Sequence, residues 1–103
     1  MITAWKRFGD QGTKDVYNGV ASKAARRTVS TTAVTTARRK LAQVVAATDL
    51  ESLRFPPNNR LELHKERGKY NSYHSIRIND QYRVLFRWTA NGAADIVIDD
   101  YHG

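Results

Sequence analysis

The segment Phe55-Pro56-Pro57-Asn58-Asn59 divides the chain into two parts that follow different structural periods. Each proline removes a backbone donor and pushes the residue before it out of the helical region, so neither a helix nor a central strand can run through this point. Before the segment, apolar residues recur at helical spacing. Val34, Ala37, Leu41, Val44 and Val45 form one stripe of a helix that ends near Ala47. After it the period is two, with strands expected at Leu61 and Leu63, Tyr73 to Ile78, Tyr82 to Trp88 and Ile96 to Ile98. At the start, Ile2, Ala4, Trp5 and Phe8 read as a first strand ended by Gly9-Asp10-Gln11-Gly12. A helix should follow, with Thr13 as N-cap and Asp15 in its first turn. It carries Val16, Tyr17, Val20 and Ala24 on one side, and Gly19 weakens its middle. The threonine-rich stretch 28–36 breaks the helical run, because β-branched side chains lose rotamer freedom in helices. Asp49 to Leu53 adds a short helical turn. The order is β-α-α-β-β-β, an α+β domain over 1–103 with a mainly antiparallel twisted sheet and two helices packed on one face.

Strand register follows from the hydrophobic sets, since a slip of one residue sends every side chain to the other face. Ile76 and Ile78 must share a face with Val84 and Phe86, which requires an odd-length loop. Taking Asn79-Asp80-Gln81 as that loop sets Arg77 opposite Arg83. A three-residue loop Ala90-Asn91-Gly92, with the glycine left-handed, sets Arg87 opposite Asp95 and Arg83 opposite Asp99. One face is then core, and the other carries Tyr73, Ser75, Arg77, Arg83 and Arg87.

Charge narrows the partner. Lys plus Arg number 17 against 10 Asp plus Glu, a net charge of +7, which favours an anionic partner such as nucleic acid, although a membrane surface or an acidic protein also fits. The final sixteen residues hold Asp95, Asp99 and Asp100 and no Lys or Arg, so a basic body ends in a locally acidic tail. The absence of cysteine excludes a disulfide framework and a thiolate zinc site, and points to a reducing compartment. Three histidines make a poor basis for a structural metal site. No run approaches the roughly 20 apolar residues of a membrane-spanning helix, and no signal-peptide order opens the chain, so a soluble cytoplasmic protein is expected.

An ordered set of motifs then carries a resemblance over nearly the whole length. These are Gly12-Thr13-Lys14-Asp15-Val16-Tyr17-Asn18-Gly19 behind an aromatic opening, Ser22-Lys23-Ala24-Ala25-Arg26-Arg27, Arg39-Lys40-Leu41, Leu53-Arg54-Phe55-Pro56-Pro57-Asn58-Asn59-Arg60-Leu61-Glu62, Ser75-Ile76-Arg77-Ile78-Asn79-Asp80-Gln81-Tyr82-Arg83, and the terminal Asp100-Tyr101-His102. The chain resembles the HigB branch of the RelE/ParE toxin superfamily. The resemblance implies a small RelE-like domain and a type II toxin that cleaves messenger RNA in the ribosomal A site, by attack of a ribose 2'-hydroxyl on its own phosphate. It also implies a helix-turn-helix, HigA-like antitoxin as partner and a bacterial cytoplasmic setting. Such an interferase needs neither metal nor cofactor. Two other readings compete: a ParE-like toxin that binds gyrase without cutting RNA, and a non-catalytic nucleic-acid-binding module.

By resemblance His102 is the acid or base at the cleavage site, a task suited to an imidazole that titrates near neutral pH; the competing reading is a frayed terminal residue. Tyr101 can stack on a base or donate a proton, and Asp100 can orient the imidazole or accept the 2'-proton. Arg83 would contact the scissile phosphate, against the alternative of an internal ion pair with Asp99. Arg77 and Arg87 share its face and would bind backbone phosphate. The segment His64-Lys65-Glu66-Arg67-Gly68-Lys69 departs from the family, whose matching loop is shorter and reads Leu-Lys-Gly-Asp-Arg. Lys65, Arg67 and Lys69 are RNA contacts by charge, and His64 is either a second imidazole or structural. His74 falls by parity on the core side as a hydrogen-bonded structural histidine. Lys23, Arg26, Arg27, Arg38, Arg39 and Lys40 are either solvated helix faces or a grip on ribosomal RNA.

Overall fold

The computed structural model describes residues 5–65 and 68–100. The architecture is α+β, with three helices, α1 (Gln11–Asn18), α2 (Lys23–Thr28) and α3 (Val34–Ala46), followed by two short 3-10 turns and four strands. The strands β1 (Glu62–Leu63), β2 (His74–Arg77), β3 (Tyr82–Thr89) and β4 (Gly92–Asp100) form one antiparallel sheet in the order β1-β2-β3-β4.

Of the expected first strand, Ile2 and Ala4 lie outside the described residues. Its second half runs parallel to β4. Asp95 N donates to Lys6 O at 2.8 Å, Ile96 N to Arg7 O at 3.0 Å, and Gly9 N to Ile96 O at 2.8 Å. Glycine is needed at position 9, because an added Cβ would lie 2.6 Å from Val97 Cγ1.

The single helix expected across Gly19 is two helices. Gly19 adopts φ +74° and closes α1, with Val20 N donating back to Asp15 O at 2.9 Å. Glycine reaches this left-handed conformation without steric cost, so it serves as a stop signal here. Ser22 then caps α2, its Oγ accepting from Ala25 N at 3.0 Å and donating to Asp15 Oδ2 at 2.6 Å. The start also moves. Asp10, not Thr13, is the N-cap, its Oδ1 accepting from Thr13 N at 2.8 Å. Thr13 is fully buried, and its Oγ1 accepts from Ile98 N at 2.9 Å, which ties α1 to β4. Gly12 belongs to the helix because α2 passes so close that a Cβ there would meet Thr28 Oγ1 at 1.9 Å.

In α3 the expected stripe is present, with Ala37, Leu41 and Val44 fully buried against Ile76, Val84, Phe86 and Ile96 of the sheet. Lys40 departs from the solvated face expected of it and is buried. Its Nζ donates to Asn59 Oδ1 at 2.5 Å, while Asn59 Nδ2 donates to Leu53 O and Phe55 O, each at 3.1 Å. These bonds pin the proline-containing loop to α3, and burial lowers the Lys40 ammonium from its ordinary range.

The β2–β3 register matches the expectation, with Ile76 opposite Val84 and Arg77 opposite Arg83. The β3–β4 hairpin differs near its turn. Thr89 pairs with Gly92, leaving a two-residue turn, and Arg87 faces Ala94 instead of Asp95. Gly92 does take the expected positive φ, +98°. The offset of one residue is absorbed at Asp95, which sits at φ +52° as the extra residue of a β-bulge, and from Leu85 onward the expected register returns with Arg83 opposite Asp99.

Candidate functional site

Alternation along β3 sends Tyr82, Val84 and Phe86 toward the helices, and Arg83, Leu85 and Arg87 to the opposite, open face. That face is not bare. Ser75, Leu85 and Ala94 are all buried, although no helix covers them. The segment between β1 and β2 supplies the cover. His64 is buried, and its Nε2 lies 2.8 Å from Ser75 Oγ. Tyr70 and Tyr73 meet edge to face with ring centroids 5.2 Å apart, and Lys69 Nζ lies 5.4 Å from the Tyr70 centroid. Burial raises the Tyr70 phenol above its ordinary range, and the carboxylates of Asp99 and Asp10 push it further. Burial likewise raises Tyr73, with Asp95 adding to the effect and the cations Arg87 and Lys69 opposing it. Tyr70 is held to this face through its contact with Tyr73, which strand alternation places there.

Arg83 is half-buried on this face, opposite Asp99, and its Nη1 donates to Asn79 O at 3.1 Å. Arg87 Nε lies 3.0 Å from Asp95 Oδ2, because the bulge carries Asp95 back toward it. Arg83 and Arg87 lie four residues apart on the strand, about 13 Å between their Cα atoms, with Leu85 between them.

Of the other candidates, Arg77 lies on the same face, directly opposite Arg83. Arg77 is paired with Asp80 in the β2–β3 turn. Lys65 is exposed at the start of the covering segment, and its carbonyl accepts from Asn71 Nδ2 at 3.3 Å. Asp100 lies opposite Tyr82, on the other side of the strand from Arg83, and its Oδ2 accepts from Gln81 Nε2 at 3.1 Å. Asp99 is therefore the carboxylate opposite Arg83. His102, Tyr101 and Arg67 lie outside the described residues. His64 is held under the covering segment as a hydrogen-bonded group. His74 faces the core as parity requires, stacked on Phe86 at 6.0 Å and 20°. The hydrogen bond expected of it is missing, since its buried Nδ1 has no partner among the described residues. Burial first, and the neighbouring His64 second, lower its pKa from 6.5.

Among the described residues no cluster of three or more His, Asp or Glu side chains could hold a metal ion, and no helix is long and apolar enough to cross a membrane. Tyr70 is the member of this face that sequence reasoning missed. It stands in an irregular loop with no period to assign it a side, whereas the placement of Tyr73 was legible from strand alternation.

Comparison with known proteins fits this geometry. Toxin HigB-1 of Vibrio cholerae is 41% identical over 63 residues, covering 61% of this chain and 64% of that protein. An uncharacterized protein of Haemophilus influenzae is 36% identical over 63 residues, covering 61% and 60%. The chain thus spans somewhat under two thirds of the length of these curated relatives. The family model of HigB-like toxins matches residues 6–102, which takes in the three helices, the whole sheet and the arginine face. The chain belongs to that family, the RelE-like HigB toxins of type II toxin-antitoxin systems.

Proposed function

We propose that the protein is a ribosome-dependent endoribonuclease, the toxin of a type II module, which cuts messenger RNA in the A site of the bacterial ribosome. The observation that carries this reading is the placement of Arg83 opposite Asp99 on a face no helix covers, just before the chain continues into Asp100-Tyr101-His102. Three residues of fully extended chain span at most about 11 Å, which bounds how far the final imidazole can stand from Asp99.

In this mechanism the 2'-oxygen attacks the adjacent phosphorus and the 5'-oxygen leaves. The products are a 2',3'-cyclic phosphate and a 5'-hydroxyl, and no metal, cofactor or external nucleophile takes part. The His102 imidazole accepts the 2'-proton and Tyr101 protonates the leaving oxygen, while Asp100, on the other side of the strand from Arg83, takes no proton. Arg83 holds the extra charge on the phosphorane, where a preorganised guanidinium acts most strongly. Arg87, Arg77, Lys65, Arg67 and Lys69 hold the flanking backbone, and His64 has a structural role beneath them. With so few strong bases, the ribosome supplies substrate orientation. The partner that restrains this activity in the cytoplasm is a helix-turn-helix, HigA-like antitoxin encoded beside the toxin.

Primer extension on translated message tests the reading. Position-specific breaks are expected with the wild-type chain and should vanish for His102→Ala; a 2'-deoxy nucleotide at the cut should also abolish them. Relaxed plasmid accumulating without RNA breaks would sink the nuclease reading in favour of gyrase inhibition. Normal cutting at a 2'-deoxy site would sink the 2'-hydroxyl mechanism.

A further inference from the structure

The helical side of the molecule has a surface that this chemistry leaves unused. The three helices do not close fully on one another, and a groove of about 260 Å³ lies between them. Val16, Ala25 and Val29, all buried, line it, and Val20 stands at its lip with 50% of its surface exposed. The rim is cationic. Arg26 Nη1 donates to Ala21 O at 2.8 Å, which holds that guanidinium over one edge. Arg38 lies across Gly19 at another, close enough that a Cβ on Gly19 would meet its Nη2 at 2.9 Å. Between Asp15 and Asp49 the sequence contains six Lys or Arg and no carboxylate. Five of the six, Lys23, Arg26, Arg27, Arg38 and Arg39, are exposed on α2 and α3.

An aliphatic floor inside a rim of one charge sign specifies its occupant by two separate terms. Val20, half-exposed over the buried floor of Val16, Ala25 and Val29, gains from contact with branched apolar side chains, about 25 cal/mol for each Å² removed from water. The arginines gain from carboxylates, and no carboxylate of α2 or α3 satisfies them. RNA meets the second requirement and leaves the first unmet, because a phosphate backbone has nothing to place against valine and alanine. An amphipathic segment with apolar anchors flanked by Asp or Glu meets both.

We propose that this groove is where the antitoxin docks, through an acidic amphipathic segment that seats aliphatic side chains over Val20 and Ala25 and pairs carboxylates with Arg26 and Arg38. The proposal rests on the reading of the chain as a toxin with a protein antitoxin, and not on its being a nuclease. The test is calorimetric titration of the full-length chain, without ribosomes, with the protein encoded by the reading frame adjacent to its gene. Val20→Glu and Arg38→Glu should each weaken binding at least about tenfold, the range of a residue central to an interface. Val20→Glu should leave the thermal midpoint and RNA cleavage of the free toxin unchanged. In the unmodified complex, backbone amide exchange should slow over 16–29 and 34–38. Binding of both variants within about threefold of wild type, or protection confined to other elements, overturns the proposal. Lost ribosome affinity with antitoxin affinity intact would make the surface an RNA grip instead. If no RNA is cut by any form of the protein, the nuclease reading fails and the titration still decides this one.

Discussion

Strand β3 presents two surfaces built on opposite principles. Toward the helices it offers Val84 and Phe86, fully buried with Ile76 and Ile96, and there volume decides what fits. Away from them it offers Arg83 and Arg87, alternating with Leu85 and set against Asp99 and Asp95, and there charge and hydrogen bonding decide. The first surface holds the chain together. The second is assembled by the same backbone, and its charged members add little to stability, so those residues are open to selection for chemistry. Among the described residues, the segment carrying His64, Tyr70 and Tyr73 packs on this face.

Mutations can break or sharpen this contrast. The largest stability loss should come from Phe86→Ala, about 3–5 kcal/mol, because a fully buried ring leaves a cavity that the helices cannot fill. Chemical denaturation reads it directly. Leu85→Ala, one residue away on the open face, should cost about 2–3 kcal/mol, because its side chain is almost fully buried there. A loss well below 1 kcal/mol would mean that the segment does not shield that face in solution. Arg87→Ala should cost under about 1 kcal/mol, since its ion pair with Asp95 is largely solvated.

The smallest effect is on pH dependence. Burial and the proximity of His64 hold His74 below its ordinary pKa, so the unfolded chain binds a proton that the folded one resists. Stability from this group is therefore complete above the unfolded value near 6.5. It declines as pH falls through that value and levels off below the folded pKa. The thermal midpoint should fall as pH is lowered from about 7.5 to about 5.5, and His74→Phe should flatten that slope. An equal slope in the variant would place the titration elsewhere.

What the sequence revealed and what it concealed divide along the same physical lines. Register between β2 and β3 was legible because Ile76, Ile78, Val84 and Phe86 must share a face, and only an odd-length loop allows it. The β3–β4 offset was not, because the excess residue is stored in a left-handed Asp95, a conformation that aspartate tolerates but does not advertise. Gly19 read as a weak point inside a helix and proved to be its end. Lys40 was taken for a surface cation, although it falls three residues after Ala37 and four before Val44, and so lies on the buried stripe. On the candidate site, the arginine face followed from parity alone. The cover provided by Tyr70 comes from an irregular loop in which no period assigns a side chain to either face.

The claim on which the account turns is that the open face of the sheet holds the reacting phosphate through Arg83. Arg83→Ala should keep a thermal midpoint close to wild type while single-turnover cleavage of ribosome-bound message slows about 10²- to 10³-fold, the usual loss when one charge-stabilising donor is removed. Cleavage within a few-fold of wild type by a folded Arg83→Ala protein would contradict it.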